Sequence, residues 1–167
     1  MGEYQHVIQP FEPVYDEHSR ILILGSFPSV KSRKMGFYYG HPHNRFWKVL
    51  SGILEEQLPQ SVEEKKNMLL RNRIAIYDVI ESCDIIGSSD SSIRNVVPAD
   101  ITGIVENSGI RAVFANGKTS AKLYRKYQDE EIGLPITELP STSPANAAFS
   151  LERLMEIWKR EVEKEIT

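Results

Sequence analysis

The chain has 167 residues, 41% of them hydrophobic and 26% charged, with a formal net charge of −3. That is the profile of one ordinary globular domain, able to bury roughly 70% of its unfolded surface, and it excludes collagen, coiled coil and disorder. No apolar run is long enough to span a bilayer, residues 1–10 lack a signal core, and the single cysteine, Cys83, can close no internal disulfide. The expectation is one domain over residues 1–167, monomeric and cytoplasmic, with no membrane partner.

The first predicted strand is Ile21–Leu24, ending at Gly25-Ser26. The stretch from Val30 to Asn44 then runs over the edge of the sheet. An apolar stripe of Phe46, Trp47, Leu50, Ile53 and Leu54 marks a helix after Asn44. Ser61-Val62-Glu63-Glu64 has the pattern of a capping box and opens a second helix toward Arg71. Ile74–Tyr77 is the second strand, with Asp78 at its end. Gly87–Ser92 is the most loop-like segment and reads as a mobile surface loop. Ile101, Ile104 and Val105 mark a short helix, and Ala112–Ala115 is the third strand, followed by Asn116-Gly117. A helix over Lys118–Tyr127, a strand over Ile136–Leu139 and a final helix from about Ser150 complete the chain.

Short β-rich runs without alternation suit strands covered on both faces. Strands alternating with helices predict an α/β fold, a three-layer α/β/α sandwich around a mainly parallel four-stranded sheet. Ligands of such sheets bind beyond the carboxyl ends of the strands, where strand order reverses. That rule selects Gly25, Ser26, Phe27, Pro28 and Ser29, then Asp78, Asn116, and Ser141, Thr142, Ser143 and Pro144. No dinucleotide or P-loop glycine fingerprint occurs in these turns.

Charge is unevenly placed. No Asp or Glu lies between His18 and Leu54, while Arg20, Lys31, Arg33, Lys34, Arg45 and Lys48 do. A basic face on an acidic chain suits an enzyme that visits a polyanion and leaves it, although a solvated loop has the same composition. Phe37-Tyr38-Tyr39, bounded by Gly36 and Gly40, offers flat rings for stacking on a base, or rings packed back on the core. Asn44 is either the N-cap of the helix behind it or a site residue. Asp78 is a general base or a cap, and Asn116-Gly117 is most simply a turn. His41 and His43 have no partner cluster, so no metal site is expected.

Three segments together, Gly25-Ser26-Phe27-Pro28-Ser29, Gly36–Trp47 and Leu139–Pro144, resemble the uracil-DNA glycosylase superfamily. Its mismatch-specific branch carries Gly-Ile-Asn-Pro-Gly, an aromatic followed by Pro-Gly-Asn-Arg-Phe-Trp, and a late Pro-Ser loop. The resemblance covers essentially the whole domain, and Asn44-Arg45-Phe46-Trp47 is its most specific piece. Phe27 stands where the mismatch enzymes have a catalytic Asn. That departure, with Ser-Thr-Ser-Pro in the late loop, is similar to the hypoxanthine-DNA glycosylase branch.

The resemblance implies a monofunctional, cofactor-free DNA glycosylase acting on DNA with deaminated bases, foremost hypoxanthine. Asn44 becomes the catalytic residue, positioning water through its amide oxygen, and Asp78 the reserve general base. Gly25, Ser26, Phe27, Pro28 and Tyr39 form the base pocket, with Tyr39 stacking on the extruded base. Ser29, Lys31, Arg33, Lys34, Lys48 and Ser141–Pro144 hold DNA, whereas Arg45 can pair within the protein. Uracil excision, including from G:U mismatches or single strands, and a non-catalytic nucleic-acid-binding module are the alternatives.

Overall fold

The structure, a computed structural model, describes residues 2–166. Its strands are β1 (Gln5–Ile8), β2 (Ile21–Gly25), β3 (Ile74–Asp78), β4 (Ile80–Ile85), β5 (Arg94–Pro98), β6 (Ala112–Asn116) and β7 (Ile136–Leu139). The helices are α1 (Val30–Met35), α2 (Phe46–Leu54), α3 (Val62–Arg71), α4 (Ile101–Glu106), α5 (Lys118–Tyr127), α6 (Asp129–Ile132) and α7 (Leu151–Ile166).

The four apolar runs make one parallel sheet in the order β3-β2-β6-β7. β2 pairs with β3 from Ile21–Ile74 to Gly25–Asp78, and with β6 from Ile21–Ala112 onward. Every residue of β2 and β3 is buried, which requires cover on both faces and explains why neither run alternates. The α/β architecture expected from the sequence is therefore the one observed, with helices flanking the sheet. α5 lies on β6 and β7, α3 on β3, and α2 packs against α7. That last contact is close because residue 52 is glycine; a Cβ there would collide with Met155. Trp158, fully buried, donates from Nε1 to the Pro140 carbonyl at 2.9 Å and so fixes α7 to the loop after β7.

The capping box at Ser61 is offset. Ser61 Oγ accepts from Glu64 N at 3.1 Å, but the Glu64 carboxylate reaches back to the amide of Gln60 rather than Ser61. A three-stranded antiparallel sheet, β1-β4-β5, was not expected. β4 starts one residue after β3, so Ile74–Ile85 is two strands joined by Val79 where the sequence shows one apolar run. β1 and β5 are mostly exposed edges and carry little hydrophobic signal. Ile80, Cys83 and Ile85 of β4 bury against Phe27 in a small second core.

In chain order the parallel sheet grows from β2 to β3 on one side, then resumes with β6 on the other side of β2. The carboxyl ends of β2 and β6 are thus the point where strand order reverses, and a crevice is expected there.

Candidate active site

A cavity of about 300 Å³ opens at that point, lined by Gly25 at the end of β2 and Ser26–Ser29 after it, Asp78 at the end of β3, Asn116 at the end of β6 and Ser141–Ser143 after β7. It lies at the lower end of the ~300–1,000 Å³ usual for small-molecule sites, which suits one planar ring system. The wall is built by short-range capping. Ser29 Oγ accepts from Ser32 N at 3.1 Å, starting α1, and donates to Ser32 Oγ at 3.0 Å. Ser32 Oγ in turn accepts from Gly40 N at 3.0 Å, drawing residues 36–40 back over the cavity. Ser29, expected among the DNA contacts, is therefore committed to holding this loop together.

The three consecutive aromatics divide between the two roles open to them. Phe37 and Tyr38 go to the core, Phe37 stacked on Trp47 and Tyr38 donating its hydroxyl to the Glu12 carbonyl at 2.8 Å. Tyr38 also touches the cavity wall, and Tyr39 lines it. Its φ of +54° is a left-handed conformation unusual for a bulky residue, the kind of strain that persists where surrounding structure imposes it. The ring stacks on Phe46 with centroids 3.9 Å apart, so only its other face is left for a flat ligand. The Tyr39 hydroxyl is buried with no hydrogen-bond partner among the described residues. Burial beside Asp78 keeps it protonated far above the ordinary tyrosine range.

Asn44 also lines the cavity; it is not the N-cap of α2, which is Arg45, but stands one residue before it and still bonds the helix start. Its Oδ1 accepts from Phe46 N at 2.9 Å, which is a helix-start bond, and from Thr142 Oγ1 at 2.8 Å. Because Phe46 N–H can only donate, the atom facing it must be oxygen, and the amide NH₂ is what remains to offer a ligand. Water positioning through the amide oxygen, expected from the sequence, is not what this geometry offers. Thr142 is fully buried and accepts at Oγ1 from Asn116 Nδ2, while its own N–H donates to Asn116 Oδ1, both at 3.0 Å. Asn116 therefore clamps the late loop against the Asn44 wall, a role that a turn-forming Asn-Gly pair did not reveal.

Arg45 holds the same loop from the other side. Its guanidinium donates to the carbonyls of Thr142, Ser143, Asn146 and Phe149, and its N–H also reaches Thr142. Pairing within the protein is thus its observed role. Ser141 and Ser143 remain on the cavity wall, whereas Pro144 is exposed beside it.

Asp78 is 3% exposed. Gln9 Nε2 donates to its Oδ2 at 2.8 Å. Burial pushes its carboxyl up to about 7; Asp90 pushes the same way, while Gln9 and the Gly25 backbone pull against it. Asp90 is raised as well, chiefly because surrounding chain limits its hydration although its surface is still exposed, and Ser26 and Thr119 hydrogen bonds oppose this. Asp90 comes from the segment expected to be a mobile loop. That segment instead carries a single helical turn (Asp90–Ser92) and contributes Ser88, Ser89 and Asp90 to the cavity. Ser26 donates to Asp90 at 3.2 Å and Val30 N to Ser88 at 2.8 Å, stitching it to the first motif.

Lys31, Lys34 and Lys48 are exposed, as phosphate contacts require. Arg33 is not equivalent to them. It is half-buried, donates to the Gly87 carbonyl at 3.2 Å and lies 6.0 Å from the centroid of the Phe27 ring. Phe27 forms cavity wall with one part and second core with another. His41 Nδ1 accepts from His43 N, a local turn, and no cluster of metal-ligating side chains occurs among the described residues.

The chain matches the family model of the uracil DNA glycosylase superfamily over residues 12–162 and belongs to that superfamily. It is a DNA glycosylase, a hydrolase of N-glycosyl bonds with DNA as its substrate. Among its relatives is the hypoxanthine DNA glycosylase of Methanosarcina acetivorans, 36% identical over 145 residues, 86% of this chain and 90% of the relative. The hypoxanthine DNA glycosylase of Methanosarcina barkeri is 36% identical over 117 residues, 68% of this chain and 73% of that one. A solution NMR structure of a candidate uracil DNA glycosylase from M. acetivorans superposes with a TM-score of 0.79 at 34% identity, covering 93% of this chain and 96% of that one. No helix among the described residues is long and apolar enough to cross a membrane.

Proposed function

We propose that the protein excises deaminated bases from DNA, hypoxanthine foremost, as a monofunctional glycosylase acting as a cytoplasmic monomer, with residues 1–167 as one domain. The observation that carries this is the cavity at the sheet's reversal point, where Asn44, Tyr39, Phe27 and Asp78 meet. The preference for hypoxanthine is supported by the two Methanosarcina relatives of that name and by Phe27 in the first motif. Both relatives are enzymes matched over most of their length, so a purely binding role is set aside.

A base inside a duplex is out of reach, so the nucleotide must be extruded at a cost of a few kcal/mol, least for a mispaired base. The flipped base then slides against the free face of Tyr39. As the C1′–N bond lengthens, the sugar gains cationic character and needs a well-placed water more than a strong base. One N–H of Asn44 holds that water by a lone pair, leaving the other lone pair for C1′. This is positioning, since an amide takes up no proton at neutral pH. Ser143 and Pro144 at the rim, and Lys31, Lys34 and Lys48 beyond it, hold the phosphates.

Uracil in G:U pairs or single strands is the second reading, favoured by the Methanosarcina structural neighbour. Oligonucleotides carrying inosine or uracil, treated with the protein and then alkali, decide between them. Strand scission is expected at inosine first; scission at uracil alone would move the assignment to the second reading, and none at either would end both.

A further inference from the structure

We propose that Asp78 is a proton donor to the departing base, its neutral carboxyl passing a proton to an acceptor atom of the ring as the C1′–N bond breaks. The inference rests on the glycosylase reading above and assigns the leaving-group half of that reaction.

Depth is the first argument. Asp78 and Asn44 line one cavity, but Asp78 is 3% exposed while Asn44 is partly open to solvent. A nucleotide enters base first with its sugar at the mouth. The buried end of the cavity therefore meets the base edge remote from the sugar, and a carboxylate there is badly placed to deprotonate water at C1′.

Surroundings are the second. The groups acting on Asp78 are the Gln9 amide, the Gly25 backbone and the Asp90 carboxyl, with the phenols of Tyr38, Tyr39 and Tyr77 nearby. None of them is cationic: the Gln9 amide and the Gly25 backbone donate to the carboxylate, but burial outweighs both and Asp90 adds to it. A base that fills the cavity displaces water and favours the neutral acid further.

Convergence is the third. A Cβ at residue 25 would lie 2.6 Å from Asp78 Oδ1 and 3.0 Å from Tyr39 Oη, so glycine there is what allows both oxygens to reach one spot. The Tyr39 hydroxyl is buried and unpartnered. Two O–H groups set side by side against Gly25 on the wall of one cavity complement a ring on which negative charge is growing.

The step balances without a further reagent. The electron pair of the C1′–N bond goes to the base, the carboxyl proton goes to the same ring, and the base leaves neutral. Asp78 is left as carboxylate, water adds to C1′ and loses its proton to solvent, and solvent reprotonates Asp78.

The test is single-turnover excision from an inosine duplex by the full-length protein across about pH 5 to 9, with Asp78→Asn and Tyr39→Phe alongside. The wild-type rate should be flat in acid and fall tenfold per pH unit once Asp78 ionises. Asp78→Asn should be slower by about 10²-fold at neutral pH and lack the alkaline fall. Tyr39→Phe should be slower and keep it. A wild-type rate that climbs with pH through neutrality would make Asp78 a base, and an undiminished rate in Asp78→Asn would remove it from the chemistry; either overturns the proposal. Wild-type protein that excises neither inosine nor uracil would overturn the glycosylase reading beneath it instead.

Discussion

Asp78→Asn should stabilise the protein, and by an amount that grows with pH. In the folded state burial raises this carboxyl from 3.8 to about 7. A group raised on folding binds its proton more tightly in the native state, so the stability it permits is greatest in acid and is lost as pH climbs toward 7. Between about pH 5 and 7 the unfolded chain is ionised at this residue and the native one is not, which costs ~1.4 kcal/mol per pH unit, about 3 kcal/mol in all. For a domain with a total stability of roughly 5–15 kcal/mol that is a large fraction. Asparagine keeps an acceptor for Gln9 Nε2, which donates at 2.8 Å, but loses one for the Gly25 backbone; that loss is the same at every pH and leaves the pH dependence of the difference intact. Asp90 has the same sign and is present in both proteins, so most of its effect drops out of the difference; the part coupled to Asp78 adds to the expected widening. Urea unfolding of both proteins at about pH 5 and 8 measures the effect: the advantage of the variant should widen by about 3 kcal/mol. A constant gap, or a wild type more stable than the variant at the higher pH, would mean that Asp78 is already ionised in the fold at about pH 5 and its carboxyl is not raised.

Neutralising Lys31, Lys34 and Lys48 should weaken binding to damaged and undamaged DNA alike and flatten its salt dependence by about one unit per lysine, read from log Kd against log salt. Arg33→Ala should instead lower Tm, because its guanidinium is spent on Gly87 and Phe27. Arg45→Ala removes the donor to four loop carbonyls; a loss of about 2–4 kcal/mol in urea unfolding, with new proteolysis at residues 141–149, is expected. Thr142→Val breaks the Asn116–Thr142–Asn44 relay and should lower the excision rate more than DNA affinity. Cys83, buried and pushed up to about 11 by that burial, should resist alkylation until the protein unfolds.

The parallel sheet was legible because Ile21–Leu24 and its three counterparts are buried on both faces, and continuous apolar runs record that directly. β1 and β5 were not, since exposed edge strands such as Arg94–Pro98 have no apolar face to show. At the site, the rule that ligands sit beyond strand ends found Gly25–Ser29, Asp78 and Ser141–Ser143 before any coordinates. The same rule selects Asn116, but Asn-Gly is common turn chemistry, and only the 26-residue return of the chain to Thr142 shows what its side chain does. Asp90 was hidden in a Ser-rich stretch whose composition matches a loose loop; what orders it is contact with Ser26 and Val30 from a segment about 60 positions earlier, information no local pattern carries. Ser29 and Arg33 carry roles that local sequence does not show: Ser29 caps a helix while lining the cavity, and Arg33 braces the loop at Gly87.

The most direct test of the whole account is the single-turnover rate of base loss from an inosine-containing duplex, compared between wild type and Asn44→Ala. The account predicts alkali-labile sites at inosine with the wild type and a rate lower by about 10² or more in the variant, with DNA affinity largely kept. An undiminished rate in Asn44→Ala would contradict it.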